Sequence, residues 1–456
     1  MCSHLCPVID ESDFTTRYKL HQHGDLSARI EMIQLQAMMF TAIAYATEFQ
    51  LRQMPFSTVL EGQTALLENV KHLYNHDHSV GHVTRATVCL LLTFWSPYNS
   101  DPCVNSFWLD RAFFHAREAR LWDPLTDSAT PSSQRKVIWW CCLVRDRIIG
   151  MGLRRPHRLH TTAHERTWPM VTMADFGSEV ICSQYMDRRS KQLRMSSFIW
   201  LCHLSIQIVS IIEFQREAMF SRTWRTGREN VSSVTKRIEI VLDIKHRLDV
   251  LELQFELDGN LTLRGGDPQV DVVAVKTLQV MIQSLIIMLY RPFVSIHPHD
   301  CPEEITFRSR SVQKIELAAA KVGGIFHTLL TQISIEAIPL AIVAWIHFPV
   351  AVCLFHSSVA KDQMPQLGAH QRSSIVTGFR ALAERHSGAA ATVTAIWTTL
   401  ENLLGRERRH SQGHSSDAGV DGSQLTVEKD ASRLHAIGTV VDRILAFDQR
   451  EIFLRE

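Results

Sequence analysis

The densest group of potential metal ligands in this sequence lies in the segment HLYNHDHSVGH. The group consists of His72, His76, His78 and His82. His72 and His76 are four residues apart, so a helix places them on one face, where Asp77 or His78 from the following loop could complete a site. The competing interpretation is a helix end with solvated histidines, which the negative end of a helix dipole stabilises. Because no thiolates or further acidic ligands lie nearby at a recognisable spacing, these histidines are weak candidates and we predict no metal.

A second group of residues that could bind a ligand is the basic region from Arg145 to Arg166, which contains six arginines and several histidines. Such a run can contact phosphate groups. Alternatively, the arginines pair with Asp146, Glu165 and helix carbonyls in a loop that packs over the helices. The region has no interleaved exposed aromatic residues and no groove-entering motif, which favours the structural role.

Signatures of catalysis are missing. The sequence contains no phosphate-binding loop, no H-E-x-x-H zinc helix and no G-x-S-x-G nucleophile turn. Gly150 and Gly152 follow a predicted helix, whereas a dinucleotide loop follows a strand. We therefore predict that the protein is not an enzyme. The ten cysteines lie mostly in apolar runs and are predicted to be buried and reduced.

The composition indicates an ordinary folded protein. Hydrophobic residues make up 45% and charged residues 21% of the 456 residues. With 48 basic and 47 acidic residues the net charge is +1, so charge alone predicts no non-specific affinity for DNA. The first residues have no basic start followed by an apolar stretch, and we expect an intracellular protein.

One segment, Ala337 to Phe355, is apolar enough to raise the question of a membrane. Pro339, Pro349 and His347 would be costly in lipid. We therefore predict a buried core helix that is broken or kinked at its prolines, and no membrane contact.

Helical periodicity dominates the chain, and runs that alternate with a period of two are few. This pattern predicts an all-α fold. A helix near Asn105 or Ser106 should carry Leu109, Ala112, Phe113 and Ala116 as one stripe, and another should stop at Arg291 because Pro292 follows. The main predicted helices are Ile30 to Phe49, Thr84 to Trp95, Ser133 to Gly152, Val231 to Leu257, Asp271 to Tyr290, Ser311 to Ile338, and Arg372 to Leu404.

The Val231 to Leu257 helix has two interpretations. Its apolar residues follow spacings of three and four, as in a coiled-coil dimer. A single long helix inside a bundle produces the same short pattern and is the favoured interpretation. The residues concerned are Val234, Ile238, Val241, Leu248, Leu251 and Phe255.

Changes in composition suggest four parts. Residues 1–25 are predicted to be flexible, and residues 26–404 to form the helical domain. Gly, Ser and charged residues dominate 405–430, which is predicted to be a flexible linker. In residues 431–456 apolar side chains recur at helical spacing, at Leu434, Ile437, Val441 and Leu445. This segment is predicted to dock on the bundle as a C-terminal helix.

The most specific pattern lies in QRKVIWWCCLVRDRIIGMGLRRPHRL, residues 134–159. It closely resembles the signature of the fungal transcription factor domain, the regulatory middle region of zinc-cluster (Zn2Cys6) proteins. In that family a Trp-Trp pair precedes an Asp-Arg pair on one helix, and an Arg-Pro turn follows. The doubled arginine and the later MVTMADF segment most resemble the cutinase transcription factor branch. The matching residues are Trp139, Trp140, Asp146, Arg147, Arg155 and Pro156.

The resemblance extends along the chain. LQAMMFTAIAY resembles the family's first core helix, and the stretch from Val88 to Glu118 resembles its paired helices. LIIMLYRPF resembles a recurrent helix terminus that ends in Arg291, Pro292 and Phe293. One departure is Arg120-Leu121-Trp122, where family members often carry Gly-Leu-His.

The residues themselves explain why the signature would be structural. Two adjacent tryptophans cannot both face one narrow seam, so Trp139 and Trp140 should bridge two neighbouring helices. Asp146 and Arg147 can then tie the end of the helix to the next loop. These residues are expected to hold a scaffold and not to form a reaction centre.

The resemblance implies a large all-α multi-helix bundle and a nuclear transcription regulator that controls a metabolic pathway or gene cluster. DNA binding in the family comes from six cysteines that hold two zinc ions. Only Cys2 and Cys6 precede the helical region, so we expect no cofactor in this chain. A small-molecule effector and a homo- or heterodimer with a related transcription factor are the expected partners, with DNA reached only indirectly.

Two alternatives remain open. An incomplete gene model could lack an upstream exon encoding the six-cysteine cluster, in which case zinc would belong to the full protein. From another class, the chain could be a helical metal- or small-molecule-binding enzyme or carrier, since a large bundle often contains a pocket.

Overall fold

The computed structural model describes the greater part of the chain, and within that part every regular element is a helix. The predicted all-α fold is therefore confirmed. The described residues are 5–25, 28, 30–95, 104–123, 130–155, 157–158, 168–181, 183–224, 231–262, 268–294, 302–359, 377–382 and 422–445.

Fourteen α-helices are named here in chain order. They are α1 (Glu11–Gln22), α2 (Met32–Ile43), α3 (Glu48–Leu51), α4 (Val59–His76), α5 (His82–Leu92), α6 (Val104–Glu118), α7 (Ser132–Leu153), α8 (Gly177–Ile181), α9 (Arg188–Trp224), α10 (Val231–Thr262), α11 (Pro268–Tyr290), α12 (Pro302–Gln332), α13 (Ala341–Val359) and α14 (Gly422–Leu445).

The N-terminal group consists of α2, α4, α5, α6 and α7. Helix α5 packs on α6 and α2, and α2 packs on α4. The predicted stripe on α6 is confirmed, because Leu109, Ala112, Phe113 and Ala116 are all buried.

The predicted helix from Ile30 to Phe49 is wrong in its extent, because two helices occupy this region. Helix α2 ends at Ile43, and Thr47 caps the start of the short helix α3. The Thr47 hydroxyl accepts a hydrogen bond from Gln50 N, and the Gln50 side chain accepts one from Thr47 N. This reciprocal capping box favours a new helix start over continuation of α2.

Helix α7 lies between the two halves of the protein. It contacts α5 and α6 on one side and α9 on the other. Its residues from Val137 to Gly152 are buried on every side, including the charged ones. The charged side chains of α7 must therefore find their partners inside the protein.

The C-terminal group surrounds α11, which packs on α9, α10, α12 and α13. By length and composition alone, Arg188–Glu217 in α9 and Val272–Phe293 in α11 are long enough to cross a membrane. The most apolar 18-residue stretches of these two segments are 56% and 83% buried inside the protein. Core helices of a folded protein can have the same length and composition, so these two features alone do not indicate a membrane span. The Ala337 to Phe355 segment starts at the last residue of a 3₁₀ turn and continues into α13, whose Ile342, Ile346 and Phe348 are buried as predicted.

Pro349 lies inside α13 and has no N–H to donate to the carbonyl of Trp345. The Ser284 hydroxyl on α11 donates to that oxygen at 2.9 Å. A neighbouring helix thus satisfies the carbonyl that the proline leaves free, so the helix continues through it.

The two ends of the chain differ from the predicted boundaries. Residues 5–25, predicted to be flexible, contain α1, and Leu5, Cys6 and Val8 are buried in the core. Three apolar side chains in one short run supply enough apolar area to fix this segment. Helix α14 begins at Gly422, inside the predicted linker, and packs on α12, α13 and α7.

Some predictions lie outside the described residues. These are the linker from 405 to 421, the end of the chain after Leu445, and most of the predicted helix from Arg372 to Leu404, of which only 377–382 are described. The structure describes the side chains of five cysteines, and all five are buried and free: Cys6, Cys89, Cys141, Cys142 and Cys202.

Candidate functional site: the α7 signature and an apolar pocket

The tryptophan pair of α7 joins two neighbouring parts of the fold. The Trp139 ring meets Phe113 of α6 edge-on, with centroids 5.8 Å apart, and Trp168 beyond α7 at 5.0 Å. Trp140 is fully buried and donates its indole N–H to the carbonyl oxygen of Pro169 at 3.0 Å. Both rings are buried, but these contacts join α6 and the segment at residues 168–169, whereas the sequence predicted a bridge between two neighbouring helices.

Asp146 ties α7 to the loop that follows it. Its carboxylate accepts the Arg158 backbone N–H at 3.1 Å and the Arg158 Nη1 at 3.2 Å, and it lies 3.6 Å from His157 Nδ1. Burial raises the pKa of Asp146, but the His157 imidazole and the Arg158 guanidinium outweigh burial and hold that pKa below its usual value. A Cβ on Gly150 would lie 2.6 Å from the His157 ring, so only glycine lets the loop fold back this closely.

The other arginines of the basic region also point into the protein. Arg145 donates to Thr93 Oγ1 at 2.9 Å and to the Thr93 carbonyl at 3.0 Å, and its guanidinium lies 4.0 Å from the Phe94 ring centroid. Arg147 is 1% exposed, and Arg155 donates to Ser106 at 3.0 Å. Pro156, Glu165 and Arg166 lie outside the described residues.

The region's described arginines thus do not form an exposed phosphate-binding surface. Arg158 continues the same pattern by donating to the Ser106 carbonyl at 2.8 Å and to Asp110 at 2.5 Å. The structural interpretation of this region fits the geometry of its described part.

Arg291 takes part in a charged contact that sequence reasoning did not find. Its guanidinium donates to both carboxylate oxygens of Asp442 on α14, at 3.0 and 2.6 Å, and Arg154 donates to the same carboxylate at 2.6 Å. Burial raises the pKa of Asp442, but the two arginines outweigh burial and lower it far below its usual value. We call Arg154, Arg291 and Asp442 the α14 clamp.

The α14 clamp is closely packed. The Arg291 guanidinium lies 5.0 Å from the Phe348 ring centroid, and a Cβ on Gly438 would lie 2.6 Å from Arg291 Nη2. Pro292 follows Arg291 in a 3₁₀ turn, and Phe293 is fully buried against Phe307, with centroids 4.8 Å apart. No local sequence pattern marks Asp442, because its partners are far away along the chain.

The four candidate metal ligands do not converge. His72 and His76 do share a helix face, with ring centroids 4.4 Å apart, but His76 Nδ1 contacts the His72 carbonyl oxygen at 2.8 Å. His78 is exposed beyond the helix, and His82 Nδ1 lies 2.9 Å from Nδ1 of His115. Among the residues that the structure describes, no group of three or more His, Cys, Asp or Glu side chains is arranged to hold a metal.

His115 and His347 are buried histidines that the sequence did not single out as sites. His115 also contacts the Tyr74 hydroxyl, at 2.7 Å, and burial together with His82 lowers its pKa to about 4. His347 on α13 is 2% exposed and meets Phe379 edge-on at 5.4 Å. Burial lowers the pKa of His347 to about 3, so its ring is neutral at physiological pH.

A cavity of about 350 Å³ opens between α2, α3 and α4. Its walls are almost entirely apolar, with Tyr45 and Gln50 as the polar residues. Gly62 of α4 has no side chain, and a Cβ there would lie 2.2 Å from Ile43 and 3.0 Å from Phe56. The lining includes Met39, Ile43, Tyr45, Gln50, Met54 and Phe56.

Fold and geometry together define an all-helical protein whose described signature residues are packed against neighbouring parts of the fold. Its curated relatives are fungal transcription factors at 27–30% identity. Cutinase transcription factor 1 beta of Fusarium vanettenii is 30% identical over 149 residues, 32% of this chain and 17% of that protein. No protein-family model matches the chain.

Two further relatives are also named as transcription factors. A transcription factor of Fusarium pseudograminearum (strain CS3096) is 28% identical over 133 residues, 28% of this chain and 15% of that protein. Transcription factor cpaR of Aspergillus oryzae is 27% identical over 196 residues, 38% of this chain and 32% of that protein. The chain thus matches a third or less of the length of these relatives, and the predicted resemblance to fungal transcription factors is confirmed.

Proposed function

We propose that this chain is the regulatory part of a nuclear transcription regulator that controls a metabolic pathway or a gene cluster. The observation that carries the proposal is the 30% identity to cutinase transcription factor 1 beta over 149 residues. The all-helical fold and the paired, interior position of the α7 signature agree with a scaffold that transmits binding events. The relatives are named as transcription factors and not as enzymes.

The cavity between α2, α3 and α4 is the proposed effector site. Its volume of about 350 Å³ lies in the range of small-molecule sites. The walls favour a neutral, mostly apolar compound, because a charged one would lose its hydration without gaining an opposite charge. Met39 and Met54 are partly exposed at its rim, and their flexible side chains can adapt to different shapes.

The route to DNA is the second part of the proposal. Specific recognition requires an element that enters a groove, together with several phosphate contacts. The described arginines of the basic region are engaged inside the protein, and the net charge is +1. We therefore assign DNA contact to a zinc cluster elsewhere in the full protein or to a dimer partner, and not to the helical region.

Transcript profiling tests this function. Removing the gene from its host should change a defined set of transcripts, and re-expression of the wild-type chain should restore them. Ala42→Trp fills the cavity, and its re-expression should leave part of that set uncorrected at equal protein level. As a matched control, Leu60→Trp on an exposed part of α4 should restore the set. An unchanged transcript profile after gene removal would reject the proposed function.

A further inference from the structure

Helix α10 has two apolar faces, and among the described residues only one of these faces packs against the bundle. Val234, Val241, Leu248 and Phe255 are fully buried. They lie on the side of the helix that packs on α9, α11 and α12. This face contains most of the residues that sequence analysis considered as a coiled-coil seam, so the bundle interpretation of those residues is confirmed.

The second apolar face is open to solvent. At 100° per residue, four exposed apolar side chains lie within an arc of about 80° along roughly 23 Å of helix, with His246 in the middle. Between 39% and 59% of each of these four residues is exposed. We call these residues the α10 stripe: Leu242, Val250, Leu253 and Leu257.

Charged residues border the α10 stripe on both sides. On one side Lys245 pairs with Asp249, and on the other Arg247 pairs with Asp243 at 3.1 Å. These pairs hold the long side chains along the edges of the helix, so they do not cover the stripe. Single exposed leucines are common on protein surfaces, whereas an apolar row with charged borders is typical of a helix that packs on another helix.

The distribution of charge identifies the partner helix and its direction. The exposed or partly exposed charges from residue 236 to 247 are Lys236, Glu239, Asp243, Lys245 and Arg247, three cations and two anions. From 249 to 258 all four are anions: Asp249, Glu252, Glu256 and Asp258. A parallel copy of α10 would place the acidic half against itself, whereas an antiparallel copy places it against the half with excess positive charge.

We propose that two copies of this chain associate through the α10 stripe, with the two helices antiparallel. This inference rests on the proposed function, because it specifies the dimer partner named there as a second copy of this chain. A twofold axis between Asp249 and Val250 aligns Leu242 with Leu257 of the second copy, and His246 with Leu253 of the second copy. Each stripe then covers the other along its whole length, as an interface related by a twofold axis requires.

Sedimentation analysis of the full chain at micromolar concentrations tests the association. The wild type should form a dimer whose dissociation constant rises with salt, because the acidic and basic halves attract each other. Leu253→Glu should weaken association at least about tenfold, since it places a carboxylate in the apolar contact. Leu60→Glu, at a residue of α4 that is also 44% exposed, should dimerise like the wild type.

Thermal melting at a protein concentration below the dimer range shows whether the variants fold normally. Both variants change exposed residues, so each should then melt as the wild type does. A wild type that stays monomeric, or a Leu253→Glu variant that dimerises normally, would overturn the proposal. If the wild type stays monomeric while transcripts still depend on the gene, this inference fails and the proposed function stands.

Cross-linking establishes the direction of the helices. Chains carrying Leu242→Cys and chains carrying Leu257→Cys are mixed and oxidised, with the wild type as the background for native cysteines. The antiparallel pair predicts cross-links between the two variants and few within either one. Cross-links that form within each variant alone would indicate a parallel pair and contradict the proposal.

Discussion

At the scale of single residues, aromatic and charged side chains in the interior have structural partners. The sequence predicted the burial of Trp139 and Trp140, because two adjacent tryptophans on an apolar helix carry a large apolar area that is stabilised by packing inside the protein. It could not predict that Arg145 binds Thr93 or that Asp442 binds Arg291, because neither partner is marked by a local pattern. Such pairs depend on which helices meet, and that is decided by packing of the whole chain.

Trp140 provides the first prediction. Trp140→Ala removes a fully buried ring and its hydrogen bond to Pro169, and it should lower the free energy of unfolding by about 3 to 5 kcal/mol. Trp122 is 44% exposed, so Trp122→Ala should cost much less. Chemical denaturation of both variants measures the difference. Equal stability of the two would show that Trp140 is not a core residue.

His347 predicts a pH dependence. Its pKa in the folded protein is about 3, whereas an unfolded histidine titrates near 6.5. As the pH falls below about 6.5, the unfolded state takes up a proton that the folded state does not, so the folded state loses stability. From pH 7 to pH 5 this histidine should contribute a loss of about 2 kcal/mol.

His347→Met keeps the apolar surroundings and removes the titrating group. We expect this variant to lose less stability between pH 7 and pH 5 than the wild type, as measured by urea denaturation at each pH. His76→Gln, at an exposed histidine, is the matched control and should behave like the wild type. An unchanged pH dependence in His347→Met would contradict a buried neutral ring.

At the scale of elements, the helices with strong periodicity and clear end signals were predictable. Helix α11 ends at Tyr290 where Pro292 indicated an end, and α7 matches its predicted span closely. The early stop of α2 and the docking of Leu5, Cys6 and Val8 were missed. The first depends on a capping box at Thr47 that interrupts an apolar run, and the second on a groove that exists only in the folded protein.

Helix α10 allows a comparison of its two faces. Leu248→Ala on the buried face should cost about 2 to 5 kcal/mol of unfolding free energy, because a cavity remains inside the bundle. Leu253→Ala on the α10 stripe should change the stability of the monomer by less than about 0.5 kcal/mol. Denaturation at a protein concentration below the dimer range measures both values. The reverse order would mean that the faces are assigned incorrectly.

At the scale of the whole molecule, the two helical groups form one fold around α7. The α14 clamp attaches α14 to this fold, because Arg154 at the end of α7 and Arg291 after α11 both bind Asp442 on α14. The resemblance to fungal transcription factors was recognisable from motif order, since its residues lie on core helices and at their ends. The cavity proposed as an effector site was not predictable, because its walls come from α2, α3 and α4 and from the close approach of Ile43 and Phe56 to Gly62.

Residues 1–456 are expected to bind DNA only weakly and without sequence preference. The net charge of +1 and the inward arginines provide few phosphate contacts, so any binding should disappear near physiological salt. Fluorescence anisotropy with random duplexes across a salt series measures this. Tight binding to one defined duplex at physiological salt would show that these residues read DNA themselves.

The central claim is that this chain regulates transcription through its helical region, and a tethered reporter tests it most directly. Residues 1–456 are fused to an unrelated sequence-specific DNA-binding domain and directed to a reporter promoter, with occupancy of the promoter measured in parallel. The account predicts reporter expression clearly above or below that given by the DNA-binding domain alone, and a loss of this effect with Ala42→Trp. Reporter expression identical to the DNA-binding domain alone, at equal promoter occupancy, would contradict it.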